Sequence, residues 1–376
     1  MKKALLVAAR VLLGAVFVFS GFVKAVDPLG GTYKFQDYFH AFGWEFMVPA
    51  AFVLAVLLAG LEFVTGVALV FNFYPKFFAK IAMLFMIVFT PLTLYIAINN
   101  PVTDCGCFGD AIKISNWATF YKNIFISALA IYLILNLKHL KGNKFSLYGI
   151  STAVIFISGI MWYSYVHLPI LDFRPYKVGN NIPELMKIPE GAPQDEYIYY
   201  YTMKNSRTGE TKEIDSKQYI ESQIWKDTTW KIIKTSDPIL IKEGYHPPVH
   251  DFIIESEDGN DITDMVLSAD NYILVVSYDI TGFDKTCADK LRKLVNDAKK
   301  NGVNIIFWTA SNYGDVKELL RDLDIDLPIY SGDEINLKTV VRSNPGIVLL
   351  QKGTVAGKWS SADIPQWSEI KKVLKK

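Results

Sequence analysis

The sequence predicts a membrane α-helical bundle followed by an α/β domain outside the cytoplasm. Long apolar runs fill the chain up to about Leu168, whereas the remainder carries Asp, Glu, Lys, Asn and Tyr at the density of a water-soluble domain. The chain has 376 residues, more than one hydrophobic core usually serves, so at least two units are expected. The short loops between the apolar runs alternate in Lys and Arg content, as the loops of membrane proteins do.

Five apolar stretches are long enough to cross a bilayer. A spanning helix needs roughly 20 mostly apolar residues, because lipid offers no partner to unpaired backbone groups. The predicted spans are about Ala4–Val26, Met47–Phe71, Phe77–Ile98, Phe120–Leu137 and Leu147–His167. The first stretch is too apolar for too long to be a signal peptide and lacks a small-residue cleavage site, so we expect a retained anchor.

The positive charges predict the orientation of these spans, because Lys and Arg accumulate on the cytoplasmic side. Lys2 and Lys3 mark the N-terminus as cytoplasmic, and three lysines within residues 138–144 mark the loop before the fifth span in the same way. The segment Asn99–Thr119 then falls outside. We expect a multi-pass protein of the bacterial inner membrane with a periplasmic, extracytoplasmic C-terminal domain.

The charge balance gives no argument for a nucleic-acid partner, since the formal net charge is only +1. The lipid bilayer is the partner that the composition requires. Within the spans, Glu62 is costly to bury as a charge unless it is paired. Arg10 falls at a similar depth when residues are counted from the cytoplasmic helix ends, so we expect an Arg10–Glu62 structural pair. A proton or substrate role for Glu62 is the alternative.

The most specific motif is the segment Cys105-Gly106-Cys107, which the predicted topology places at the extracytoplasmic surface. Residues i and i+2 can satisfy the Cα separation of about 4.4–6.8 Å that a disulfide requires, and Gly106 supplies backbone freedom. A ring this small is strained, which favours a labile, oxidising disulfide over a structural one.

Three other interpretations of this motif stay open: cysteines that form a structural turn, cysteines that are inert, and cysteines that are two ligands of a metal.

A metal would need further ligands from Asp104, Asp110 or His40, and we assign none.

The membrane part resembles the DoxX superfamily, in particular its MauE branch of methylamine-utilisation membrane proteins, over about residues 1–140. The matching pieces are Phe19-Ser20-Gly21-Phe22-Val23-Lys24 with Asp27-Pro28, Gly60-Leu61-Glu62 to Gly66, and Cys105-Gly106-Cys107-Phe108-Gly109-Asp110 followed by Trp117-Ala118-Thr119-Phe120. The resemblance implies a four-helix membrane core, here extended by a fifth helix. It also implies a part in forming or transferring disulfides in a client protein outside the cytoplasm.

The soluble part begins with a small antiparallel β unit over Glu196–Lys242 and then changes to an α/β pattern. The predicted strands are Asp251–Ile254, Tyr272–Tyr278, Val303–Thr309, Pro328–Tyr330, Ile347–Gln351 and Val355–Trp359, and the predicted helices are Asp284–Asn301 and Asp315–Leu323. Strands alternating with helices indicate a mixed sheet.

This pattern resembles the thioredoxin superfamily, especially its TlpA and peroxiredoxin-like branch, over about residues 248–376. Pro345, after Asn344, occupies the place of that family's cis-proline. The chain departs from the family's Cys-x-x-Cys motif, since only the second position is filled, by Cys287. A helix N-terminus can make that thiol reactive, or Cys287 can be a small hydrophobic core residue.

We therefore expect four segments: a membrane bundle (1–140), a fifth helix and exit (141–170), a β-rich linker unit (171–247) and a thioredoxin-like domain (248–376). The leading hypothesis is a thiol–disulfide oxidoreductase that uses Cys105 and Cys107, with Cys287 as a relay. The alternative is a non-enzymatic binding or assembly module. The architecture also resembles fusions of a quinone-linked membrane oxidase with a thioredoxin-like domain. It departs from them because those oxidases use two cysteine pairs, so a quinone has no residue support and no cofactor is assigned.

Overall fold

In a computed structural model of the protein, residues 2–102, 104–242 and 244–375 are described. The chain divides into two compact units, residues 1–181 together with 251–376, and residues 182–250. Within the described residues, five helices are long and apolar enough to cross a membrane, as predicted. The spans are Lys3–Val26, Glu45–Phe71, Pro75–Asn99, Asn116–Leu135 and Ser146–Val166. The chain is a multi-pass membrane protein.

Among its described residues, the first unit begins with six α-helices. They are α1 (Lys2–Val26), α2 (Pro28–Ala41), α3 (Ala51–Phe71), α4 (Pro75–Asn99), α5 (Asn116–Leu135) and α6 (Ser146–Val166). No pattern in the sequence predicted α2, which fills the connection between the first two spans. Asp27 caps this helix by accepting a hydrogen bond from the Gly30 amide at 2.9 Å, and Pro28 occupies its first turn.

Glycines set the contact between α1 and α3. A Cβ on Gly21 would lie 2.3 Å from the Phe63 amide nitrogen, and a Cβ on Gly66 would lie 2.3 Å from that of Val18. Only glycine lets the two backbones approach this closely, which is how membrane helices pack where the hydrophobic effect gives little drive. The contact fixes an antiparallel register of the two helices.

The second unit, residues 182–250, contains small sheets. Its elements are α7 (Ile182–Leu185), β1 (Glu196–Ile198), β2 (Tyr200–Asn205), β3 (Thr211–Asp215), α8 (Ser216–Glu221), β4 (Trp230–Thr235) and β5 (Ile239–Lys242). β1 pairs with β5, and β2 lies between β3 and β4. All of these pairs are antiparallel, as the alternating sequence predicted.

The α/β part of the first unit is built around a five-stranded mixed sheet. Its elements are α9 (Thr263–Ser268), β6 (Tyr272–Ser277), α10 (Ala288–Lys300), β7 (Asn304–Thr309), α11 (Tyr313–Asp322), β8 (Ile329–Ser331), α12 (Glu334–Val340), β9 (Gly346–Gln351), β10 (Thr354–Trp359) and α13 (Trp367–Leu374). The strand order is β10-β9-β6-β7-β8. β6, β7 and β8 run parallel, while β9 is antiparallel to β6 and β10.

This order, a parallel βαβ unit joined to an antiparallel β-hairpin, is thioredoxin-like, and the Asn344–Pro345 peptide bond before the hairpin is cis. β6 is buried along its whole length, which explains its continuous apolar sequence. The predicted strand Asp251–Ile254 is wrong. The Ile254 amide donates to the Thr263 hydroxyl at 2.9 Å instead of to a strand partner, and pairing is limited to bridges at the next residue.

Candidate functional site

Cys105 and Cys107 lie in the loop that joins α4 to α5, with their sulfur atoms 2.8 Å apart. Gly106 between them has φ of +65°, a left-handed conformation in which a side chain would be strained. A disulfide would require the sulfurs to approach by about a further 0.8 Å. Both cysteines are only partly exposed. The loop therefore brings the two thiols together in a geometry close to that of a bond.

The loop is held against α2 by two contacts. The Tyr38 hydroxyl donates to the Cys105 carbonyl at 2.9 Å. The Lys34 ammonium lies 3.4 Å from the Asp104 carboxylate, whose other oxygen accepts from the Gly106 amide at 2.8 Å. These bonds fix the backbone on both sides of the first cysteine.

A polar cluster lies beneath the second cysteine, and we call Ser20, Lys24 and Glu62 the buried triad. The Lys24 ammonium donates to both oxygens of Glu62, at 2.9 and 2.7 Å, and to the Ser20 hydroxyl at 3.0 Å. The Ser20 oxygen lies 2.8 Å from Glu62 Oε2 and 2.8 Å from the Cys107 carbonyl oxygen. A hydroxyl has one hydrogen, so Ser20 donates to one of these acceptors at a time.

The predicted Arg10–Glu62 pair is wrong, because Glu62 pairs with Lys24. Arg10 instead donates to the carbonyls of Leu69 and Val70 near the end of α3. The prediction assumed that the first residues of α1 and the last residues of α3 lie at the same depth in the membrane. Their glycine contact staggers them, so Arg10 meets the last turn of α3 and Lys24 meets Glu62.

The environment of the loop shifts the pKa values of the two thiols in opposite directions. The pKa of Cys107 is lowered to about 6, mainly by the hydrogen bond from the Cys105 thiol, and further by the positive charges of Lys122 and Lys24. The pKa of Cys105 is raised, first because its proton is held by Cys107 and then by burial. Lys122 also lies over the Phe108 ring, 4.2 Å from its centroid. The surroundings therefore favour the thiolate at Cys107 and the protonated thiol at Cys105.

Arg342 joins the α/β part of this unit to the same loop. Its guanidinium lies 2.9 Å from the Asp27 carboxylate and 3.3 Å from that of Asp110, three residues after the second cysteine. The Arg342 side chain is 6% exposed. A second contact is the edge-to-face pair of Tyr33 and Tyr278, with ring centroids 6.3 Å apart. The segment just before the cis-proline therefore contacts the bundle beside the cysteine loop.

Cys287 lies elsewhere, in the hydrophobic core between the sheet and α10, together with Phe283 and Leu291. Its thiol is 3.0 Å from the Asp284 carbonyl oxygen, and burial raises its pKa to about 12. The Asp284 amide donates to the carbonyl of Asn344, which places the cis-proline loop beside the start of this helix. This environment favours the interpretation of Cys287 as a core residue over that of a reactive thiol.

Of the residues considered as metal ligands, His40 faces Glu45 at 2.9 Å and Asp110 faces Arg342. Across residues 2–102, 104–242 and 244–375, no three His, Cys, Asp or Glu side chains are grouped so that they could hold a metal ion.

Several features of the site were not predicted from the sequence: the contacts of Ser20 and Lys24, and the positions of Tyr38, Lys122 and Arg342 beside the cysteine loop. One signal was present. Ser20 and Lys24 are four residues apart and so share one face of α1, toward the end that leads to the loop connecting the first two spans. The others come from separate elements, and no spacing in the sequence links them.

Comparisons with known proteins bear on the two parts of the chain. Residues 2–136 match the model of the family described as methylamine utilisation protein MauE. Similar solved structures include a candidate protein disulfide isomerase from Bacteroides thetaiotaomicron, with 16% identity, TM-score 0.28, and coverage of 34% of this chain and 87% of that one. A candidate thioredoxin from Neisseria meningitidis has 12% identity, TM-score 0.27, and coverage of 33% and 88%.

A thioredoxin family thiol:disulfide interchange protein from Chlorobium tepidum TLS has 14% identity, TM-score 0.27, and coverage of 33% and 91%. No curated protein matched the chain. The chain thus joins a MauE-like membrane domain to a thioredoxin-like domain.

Proposed function

We propose that the MauE-like and thioredoxin-like domains together form a membrane thiol–disulfide exchange protein that acts on cysteines of a client protein outside the cytoplasm. The observation that carries this proposal is the pair of sulfurs 2.8 Å apart in a partly exposed loop, and the lowered pKa of Cys107 supports it. A MauE-like membrane domain and a thioredoxin-like domain in one chain support a redox role in general. The excess of lysines in the predicted cytoplasmic loops supports the extracytoplasmic side for the cysteines.

The proposed exchange starts from a Cys105–Cys107 disulfide. A client thiolate attacks the sulfur of Cys105, which forms a mixed disulfide and releases Cys107, because the thiol with the lower pKa is the better leaving group. The second client thiol then attacks the client's sulfur of the mixed disulfide and releases Cys105. One S–S bond is broken in the loop and one is formed in the client, so two electrons pass from the client to the pair. The reverse sequence reduces a client disulfide.

We assign the α/β domain (248–376) a binding role, with residues 1–140 as the redox part, 141–170 as the connection and 171–247 as a linker unit. The buried thiol of Cys287 and the missing first cysteine of a Cys-x-x-Cys motif support binding over independent redox chemistry. These same two observations favour the second candidate function, a non-enzymatic assembly module in which the cysteine loop is structural.

The redox state of the loop in cells distinguishes the two functions. Cells that express the full chain are treated with a pulse of dithiothreitol, quenched with acid and reacted with a maleimide that adds mass to free thiols. We expect the Cys105–Cys107 pair to be oxidised before the pulse, reduced during it and oxidised again afterwards. Cys287→Ala is the matched control and should behave as the wild type, while Cys105→Ser and Cys107→Ser should each remove the change.

A pair that stays reduced throughout, or one that never exchanges, refutes the redox function and leaves the assembly module. The topology is tested separately with reporter fusions after residues 112 and 140. Activity of an extracytoplasmic reporter only at the first position supports the proposal, whereas the opposite pattern places the cysteines in the cytoplasm and overturns it.

A further inference from the structure

No bond to the buried triad of Ser20, Lys24 and Glu62 forms or breaks in the exchange described above, but the Ser20 hydroxyl contacts the backbone carbonyl of Cys107. We propose that Lys24 and Glu62 are positioning residues whose opposite charges set the protonation of Cys107 and, through Ser20, the position of its backbone. The inference deepens the proposed function and rests on it.

The hydrogen bonds of the triad determine which way the Ser20 hydroxyl points. Lys24 donates to both Glu62 oxygens and to the Ser20 oxygen, so the carboxylate is already satisfied by an ammonium group. The hydroxyl hydrogen is then available to the Cys107 carbonyl oxygen, 2.8 Å away. Loss of the ammonium would turn the hydroxyl toward the unpaired carboxylate and release the loop.

Burial makes these charges effective at the thiol. The side chains of Lys24 and Glu62 are 14% and 8% exposed, so water screens them little. Cys105, Lys122 from α5 and Tyr38 from α2 also interact electrostatically with the Cys107 thiol. The other charged groups of the loop and of α2 pair with one another or with Arg342: Lys34 faces Asp104, and Asp110 faces Arg342. The triad differs from them because it places one charge of each sign beneath a single cysteine.

The triad matters most when the disulfide is reduced. The S–S bond breaks, the client dithiol becomes a disulfide, and two electrons enter the pair with two protons leaving the client. One proton is taken by Cys105 and the other goes to water, which leaves a new negative charge on Cys107. Lys24 stabilises that charge and Glu62 opposes it, so each residue has a separate and opposite influence on the reduced state.

The test is the pH dependence of the alkylation of Cys107 in the reduced, full-length protein in lipid nanodiscs. Iodoacetamide reacts with the thiolate, and mass spectrometry of the peptide measures modification of this cysteine between pH 5 and 9. We expect Glu62→Gln to lower the midpoint and Lys24→Met to raise it, each changing the thiolate fraction at a fixed pH roughly three- to tenfold. The double variant should fall between the single variants, and Lys24→Arg should restore the wild-type profile.

A merely structural role would disturb the loop in the same direction in both single variants, so shifts of the same sign overturn the proposal, as does the absence of a shift. Lys113→Met is the matched control, because this lysine is in the same loop but is 67% exposed, and its profile should not move. If Lys24→Met does not fold, Glu62→Gln and the double variant decide the question. Alkylation of Cys107 needs no client protein. The pH profile can therefore be measured even if the proposed disulfide exchange fails, and that failure would be seen in the dithiothreitol pulse experiment instead.

Discussion

Replacing Arg342 with Met should detach the α/β domain from the cysteine loop. The guanidinium is 6% exposed and faces Asp27, which is 17% exposed, and Asp110, which is 31% exposed. Removing one partner of a buried ion pair costs about 3–5 kcal/mol, because the remaining charge stays buried without compensation. The ion pair with Asp110, whose carboxylate is the more exposed of the two, adds at most about 1 kcal/mol to this cost. We therefore expect the contact to be destabilised by about 3–5 kcal/mol.

Hydrogen–deuterium exchange of the intact protein in nanodiscs measures this opening locally. Each 1.4 kcal/mol corresponds to a factor of ten, so the amides of residues 104–112 and of the start of α2 should exchange at least about a hundredfold faster in Arg342→Met. Arg321→Met is the control, because that arginine is 74% exposed and its removal should change exchange little. Combining Arg342→Met with Asp27→Asn should recover much of the loss. Unchanged exchange around the loop would refute the reasoning.

The same pair predicts a pH dependence. Arg342 holds the pKa of Asp27 below its usual value, although burial opposes this effect. A carboxyl whose pKa is depressed in the folded state contributes stability that is fully present above its unfolded pKa of about 3.9. The contribution is lost as the pH falls further, through the lower folded pKa. The protection of the amides around Asp27, which is their exchange relative to an unfolded chain at the same pH, should therefore stay constant near neutral pH and fall only in acid below about pH 4.

Three further predictions concern single sites. Gly21→Ala should strongly lower the thermal unfolding midpoint in detergent, because its Cβ would clash with the backbone of α3, whereas Gly159→Ala, which meets no atom within 4 Å, should leave the midpoint nearly unchanged. Cys287→Ala should leave exchange at the loop unchanged, and in the wild type this thiol should resist iodoacetamide up to about pH 10, since its pKa is raised to about 12. Asp172→Asn should destabilise the fold by about 3–5 kcal/mol, because it leaves the buried cations Arg174 and Lys358 without their carboxylate. Lys358→Met should cost far less, because Arg174 still pairs with Asp172. Chemical denaturation compares the two variants, and equal losses of stability would contradict this account.

The sequence predicted the elements that depend on long or regular apolar patterns. The five spans were found because lipid requires about 20 apolar residues in one run, and β6, β7 and β9 were found because buried strands are continuously apolar. β10 was found from the turn at Lys352-Gly353, which marks a hairpin. Short amphipathic elements were missed. α2 is polar on much of its surface, and α9, α12 and α13 are only six to eight residues long, so neither composition nor period distinguished them from loops.

The site was predicted in part, and the division follows distance along the chain. Cys105 and Cys107 are two residues apart, so the sequence alone brings their sulfurs together. The partner of Glu62 is 38 residues away on another helix, and counting residues from the helix ends chose Arg10 instead. The contact of Arg342 with Asp27 spans 315 residues, and no local pattern indicates it.

The sequence by itself thus determined which segments are apolar enough for lipid and that two cysteines lie close together, because hydrophobic runs and neighbouring positions act through local chemistry. Tertiary structure alone decided which charges surround the thiols. That choice depends on the stagger of α1 against α3, which is set by the close approach of two backbones at Gly21 and Gly66. A shift of one turn would carry Lys24 about 5.4 Å along the helix and away from Glu62, so packing rather than composition gives Cys107 its environment.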